Sequence, residues 1–116
     1  MFVHFTITLT TTPVRLSAAL PDQAVGGAYD FPLRLITFQS LKANTTDILI
    51  GGHFQVAGVE QGPLISTTKH AIRLDPGDTA PALALGSYDS GGSKVSDFWA
   101  VGASGGEVLL IGGVVN

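Results

Sequence analysis

Asp97-Phe98-Trp99-Ala100-Val101, then Gly102-Ala103-Ser104-Gly105-Gly106, then Glu107-Val108-Leu109-Leu110-Ile111-Gly112-Gly113-Val114-Val115 is the stretch that decides the fold class. Two apolar, β-prone runs flank a five-residue linker with three glycines, the form a hairpin with a longer or bulged loop takes in sequence. The first run holds the only Trp of the chain, so Trp99 is expected to anchor the core. Upstream, Thr46-Asp47-Ile48-Leu49-Ile50-Gly51-Gly52 is echoed by Ser96-Asp97-Phe98-Trp99-Ala100-Val101-Gly102, and the Ile-Gly-Gly ending returns at Ile111-Gly112-Gly113. Each unit runs small polar residue, Asp, apolar strand, glycine.

Outward from this stretch, strand and turn signals alternate along the whole chain. From Val3 onward, Phe5, Ile7 and Leu9 share one parity while His4, Thr6, Thr8 and Thr10 take the other, a strand with one wet face. Pro13 ends or edges it. Residues 17–32 form an irregular excursion, punctuated by Pro21, Gly26, Gly27 and Pro32, with room for a short helical turn and none for a long helix. Leu33 to Leu41 is a strand whose apolar phase slips between Leu35 and Ile36, which a bulge or burial on both faces explains. Asp47 to Ile50 is a short strand stopped by Gly51-Gly52. Asp75-Pro76-Gly77-Asp78 is a type II turn between Ala71–Leu74 and a partner strand at Thr79–Leu85, with Pro81 pushing the latter to a sheet edge. The expected fold is all-β: one antiparallel β-sandwich of jelly-roll type spanning residues 1–116 as a single domain.

Composition bounds the partners. Charged residues make up 13% of the 116 positions, the hydrophobic set 45%, and mean hydropathy is +0.37. A small domain has much surface to cover, so this polarity deficit implies a homo-oligomer. The formal net charge is −3, and Arg15, Arg34, Lys42, Lys69, Arg73 and Lys94 are scattered singly, which argues against nucleic-acid binding. No apolar run approaches the roughly 20 residues of a membrane helix, and Met1-Phe2-Val3-His4-Phe5-Thr6 lacks the basic start of a signal peptide. The chain has no cysteine, which removes disulfides, thiolate metal sites and a Cys nucleophile.

Candidate chemistry is sparse. His4, His53 and His70 lack metal-ligand spacing, and no Gly-x-Ser-x-Gly elbow is present. Glu60 and Glu107 are the only glutamates, and Glu107, beside a Gly-rich turn, is expected to be a solvated charge. Gly26-Gly27, Gly91-Gly92 and Gly105-Gly106 lack the Lys-Ser/Thr ending or following helix of a phosphate cradle and are expected to make turns. Asn44-Thr45-Thr46 matches a glycosylation acceptor and is expected to act only as a turn. Trp99, Tyr29 and Tyr88 are the aromatics able to stack on a sugar. No catalytic, cofactor-binding or metal-ligating residue is assigned, and the chain is not expected to be an enzyme.

Ala43-Asn44-Thr45-Thr46-Asp47-Ile48-Leu49-Ile50-Gly51-Gly52, Ala71-Ile72-Arg73-Leu74-Asp75-Pro76-Gly77-Asp78, and Val95 to Gly102 followed by Gly105-Gly106-Glu107-Val108-Leu109 together resemble small tailed-bacteriophage virion proteins. That resemblance covers roughly residues 33–115 and leaves the N-terminal third unmatched. It implies a capsid cement or decoration subunit located in the virion, forming a dimer or trimer and bound to the major capsid protein or another virion protein. Phe2–Phe5 and Ala18–Tyr29 are the candidate contact segments. A tail, fibre or baseplate-associated module and a carbohydrate-binding sandwich are the alternatives.

Overall fold

Alternating burial along the opening strand sets the first sheet. The computed structural model describes residues 2–19, 22–23, 27–28, 33–66, 69–85 and 94–115. In β1 (Phe2–Thr8) the side chains of Val3, Phe5 and Ile7 turn toward the core, and Phe2, His4, Thr6 and Thr8 turn to solvent. β2 (Val14–Arg15), a 3-10 turn at Leu16–Ala19, and the short pair β3 (Asp22–Gln23) and β4 (Gly27–Ala28) follow. Then come β5 (Leu33–Ser40), β6 (Ile48–Gly51), β7 (His53–Val56), β8 (Val59–Pro63), β9 (Ile72–Leu74), β10 (Leu83–Ala84), a 3-10 turn at Val95–Asp97, β11 (Trp99–Gly102) and β12 (Val108–Val115). The described part of the excursion at residues 17–32 is thus the end of a 3-10 turn and one short ladder.

Eight of these strands build two four-stranded antiparallel sheets, in the orders β1-β12-β5-β10 and β2-β11-β6-β9. Among the eight, the first pairs with the last, the second with the seventh, the third with the sixth and the fourth with the fifth. That nesting is an antiparallel ribbon rolled up on itself, the jelly-roll form of the β-sandwich. The β7–β8 hairpin is inserted between the fourth and fifth strands of the roll. The echoed units around Ile48–Gly51 and Trp99–Gly102 lie side by side, Trp99 opposite Gly51 and Gly102 opposite Ile48.

Rolling the ribbon overturns two local expectations. The run 97–101 and the run 107–115 do not form a hairpin, because β11 and β12 belong to opposite sheets and the glycine linker crosses between them as an arch. The two residues after β1 run along this arch: Leu9 N–H donates to the Glu107 carbonyl, Gly106 N–H to the Leu9 carbonyl and Gly102 N–H to the Thr10 carbonyl, at 2.7–2.9 Å. Gly105 and Gly106 turn it with φ of 86° and 89°, where a side chain is strained. Likewise Thr79–Leu85 does not pair with residues 71–74. The Asp75–Asp78 turn forms as expected, with Asp78 N–H on the Asp75 carbonyl at 2.9 Å and Gly77 at φ 86°. Beyond it the chain crosses to the first sheet, where Ala80 N–H meets the Phe38 carbonyl and β10 lines the edge of β5.

The expected phase slip in β5 is a bulge. Val114 faces Leu35 and Val115 faces Leu33, so Arg34 is left over and points to solvent while Leu33 and Ile36 are both buried. Between the sheets, Phe38 is fully buried among Leu9, Leu16, Ile36, Ile48, Ile50 and Ile111, and its ring meets Phe98 edge-on at 5.5 Å. Trp99 does not anchor this core. In β11 it is Ala100 and Gly102 that face inward, which puts the half-buried Trp99 on the outer face of the second sheet.

Candidate functional site

Among the described residues the exposed large apolar side chains are Phe2 on β1 and Val56, Val59 and Leu64 on or beside the β7–β8 hairpin, whose foot meets the outer face of the second sheet at Trp99. Gly51 and Gly52 end β6 and let the chain leave the sheet. A Cβ on Gly51 would lie 2.6 Å from the Leu64 carbonyl, so the returning strand fits only over glycine, and Leu64 N–H closes the base on the Gly52 carbonyl at 2.8 Å. At the tip Val56 pairs with Val59 around Ala57-Gly58. Both loop residues have positive φ, 52° and 80°, the type I′ geometry that matches strand twist. Val56 and Val59 are 58% and 61% exposed, and Leu64 at the base 43%.

Three side chains tie the foot of the hairpin to the sheet. Trp99 donates its Nε1–H to His53 Nδ1 at 3.1 Å, so the ring N–H that meets the Ser96 carbonyl at 3.2 Å is on Nε2. The Arg15 guanidinium lies over the Trp99 ring, 5.1 Å from its centroid. His53 also meets the Trp99 ring edge-on. The arrangement holds the hairpin; nothing in it is arranged as a nucleophile with a base. It was not legible in sequence because Arg15, His53 and Trp99 come from three distant segments.

The other sequence candidates are dispersed. His4 stacks on Phe2 in the first sheet, and His70 donates to the Ser66 carbonyl in the loop before β9. Among the described residues no group of three or more His, Cys, Asp or Glu stands together. Tyr29, Tyr88 and Gly91-Gly92 lie outside the described residues, as does half of Ala18–Tyr29. A groove of about 260 Å³ beside Pro13, Leu49, Ile65 and Val101 is open and shallow, below the roughly 300–1,000 Å³ of enclosed ligand pockets.

Glu107 is not a solvated charge. It is 3% exposed under the arch, where its Oε1 accepts from the Thr46 hydroxyl, the Ser104 hydroxyl at 2.7 Å and the Ser104 N–H at 3.0 Å. Burial alone pushes its carboxyl up. The hydroxyls of Thr46 and Ser104 and the local N–H groups outweigh that and bring it from 4.5 to about 2. A depressed carboxyl adds stability above its unfolded value, and that contribution drains away as pH falls from about 4.5 to about 2. Urea unfolding at about pH 5 and pH 3 should therefore show wild type losing more stability on acidification than Glu107→Gln; equal losses would contradict this role.

No family model matches the sequence, and no curated protein or solved structure matches it.

Proposed function

We propose that the chain is a structural subunit of a tailed-phage virion, a capsid cement or decoration protein, and that the β7–β8 hairpin is the arm with which it grips coat subunits. The observation that carries this reading is the hairpin tip, where two valines stand mostly in solvent on a loop whose base is fixed by Trp99, His53 and Arg15. A braced apolar tip buries surface in a partner without ordering a flexible loop first, so less of its gross binding energy is lost. A subunit that binds only the assembled lattice stabilises it by mass action. The polarity deficit of the sequence and its resemblance to virion proteins between residues 33 and 115 support the same reading. Jelly rolls occur in viral capsid and lectin domains and in cupins, so the fold by itself does not choose among them.

The sugar-binding alternative is less well supported, since the guanidinium of Arg15 already occupies a face of Trp99. A tail, fibre or baseplate position would use the same arm and differ in where the subunit lies in the particle. The test is the double variant Val56→Lys/Val59→Glu, which charges both tip positions and leaves opposite charges facing each other across the pair. Its stability should stay within about 0.5 kcal/mol of wild type, as expected for exposed positions. Co-sedimentation with purified particles should fall at least tenfold, because two buried valines are worth about 1.5–3 kcal/mol each. Undiminished binding would remove the hairpin from this role. Electron microscopy of the particle separates a capsid position from a tail position.

A further inference from the structure

The two sheets have four edges, and three of them are guarded. β10 is two residues long and follows Pro81, β2 is two residues long and follows Pro13, and β9 is three residues long with Arg73 at its centre. Short strands, prolines and charges are what keep sheet edges from pairing with other chains. β1 has none of these. It is seven residues long, Phe-Val-His-Phe-Thr-Ile-Thr, without a proline, lysine, arginine or carboxylate.

Its hydrogen-bonding groups are also divided cleanly. Leu9 donates to Glu107 and accepts from Gly106, and the register of β1 on β12 continues without a break back to Phe2 opposite Val114. Because successive residues bond to opposite sides, Ile7, Phe5 and Val3 bond β12, and Thr8, Thr6, His4 and Phe2 aim their N–H and C=O away from it. Among the described residues no backbone group meets that outer row. On the outer face Phe2 is 62% exposed, and on the inner face Val3, Phe5 and Ile7 are only partly covered.

We infer that the outer edge of β1 is the self-association surface, where a second copy adds its own β1 antiparallel about a two-fold axis at Phe5. In this register Phe2 faces Thr8 of the other copy and His4 faces Thr6, so four residue pairs exchange two bonds each and the whole outer row is satisfied. Inward side chains stay inward in both copies, and Phe5 meets Phe5 across the axis. A strand with no charge meets itself without repulsion, which is the complementarity an isologous contact requires. The two first sheets become one eight-stranded sheet, with a β7–β8 hairpin from each copy. This goes beyond the virion reading, since it depends on solution behaviour and on no particle.

The test is sedimentation equilibrium over a wide range of protein concentration. Wild type should show a species of twice 12.0 kDa. Thr6→Pro removes only an outward N–H and suits an edge strand, so it should remain folded by circular dichroism and sediment as the monomer. Should Thr6→Pro not fold, His4→Lys/Thr6→Lys decides in its place: it sets lysines opposite each other and should be monomeric, with pairing restored on mixing with His4→Glu/Thr6→Glu. The register is read by a single cysteine, which the native chain lacks. At the axis the two Cα atoms would be about 4.5 Å apart, within disulfide range, so Phe5→Cys should form a covalent dimer under mild oxidation and Val3→Cys should not. A wild-type monomer at millimolar concentration, a trimer, or a dimer that persists in the folded edge variants would overturn the inference. An edge variant that is monomeric yet still binds particles leaves the virion reading intact and places self-association apart from it.

Discussion

Replacing Phe38 with Ala is expected to cost about 3–5 kcal/mol, the range for removing a buried aromatic ring from a packed core. Phe38 is fully buried, and residues of both sheets surround it: Ile36 and Ile111 from the first, Ile48 and Ile50 from the second. These four isoleucines are β-branched, with stiff χ1 angles, on strands fixed by ladders, so they have little freedom to collapse into the hole. The edge-on contact with Phe98 at 5.5 Å is lost as well. At roughly 4 °C per kcal/mol for a domain of this size, the melting temperature should drop by well over 10 °C. Urea denaturation of Phe38→Ala beside Phe38→Leu measures it, since leucine keeps much of the volume and should lose markedly less. A loss below about 1 kcal/mol for the alanine variant would mean that the two sheets do not close on this ring.

Asn44→Ala should be nearly as damaging, at about 2–4 kcal/mol, although Asn44 is polar and only partly buried. Its side chain behaves as a missing piece of strand: Oδ1 accepts the Val108 N–H at 2.8 Å, and Nδ2 donates to the Val108 carbonyl and to Ser40 Oγ, each at 2.9 Å. Truncation strands the N–H of Val108 at the start of β12 and the hydroxyl of Ser40, which is completely buried. Amide exchange at Val108 should accelerate before the rest of β12 does, and Thr45→Ala, at an exposed neighbouring position, should be close to neutral. Undiminished protection at Val108 would show that another group pairs with it. The same geometry bears on the Asn44-Thr45-Thr46 acceptor pattern, because an amide whose nitrogen already donates two hydrogen bonds inside the fold is not presented to a modifying enzyme.

Local sequence signals located the strands and several turns and failed at pairing. The alternation of Phe5, Ile7 and Leu9, the phase slip between Leu35 and Ile36, and the Asp75-Pro76-Gly77-Asp78 turn each depend on a few adjacent residues, and each appears in the structure, the slip as a bulge one residue earlier, at Arg34. Partners do not depend on adjacent residues. A glycine-rich linker between two apolar runs reads the same whether it makes a hairpin within one sheet or an arch between two, so residues 97–115 were open to the wrong pairing. Glu107 held the missing clue. A carboxylate buried against Thr46 and Ser104 marks a segment that passes under another instead of turning at the surface. For the β7–β8 hairpin Gly58 marks a turn between Val56 and Val59 but not the pairing, because Ala57 adopts a left-handed conformation that alanine seldom takes, where Asn-Gly would have announced a hairpin.

The nesting of the ribbon also dictates the order in which the chain can reach its native state. Phe2 waits for Val114, about a hundred residues downstream, and β12 is the middle strand that joins β1 to β5. While the polypeptide is being synthesised, β1 and β5 have emerged but the segment that cements them has not, so the first sheet assembles only after translation has passed Val115. Such long-range closure places folding in the slow, millisecond-to-second class of β proteins. In the meantime an uncharged, unguarded β1 is exposed to every other nascent copy, and crowding on a polysome or an early stop codon would turn a docking edge into a seed for aggregation.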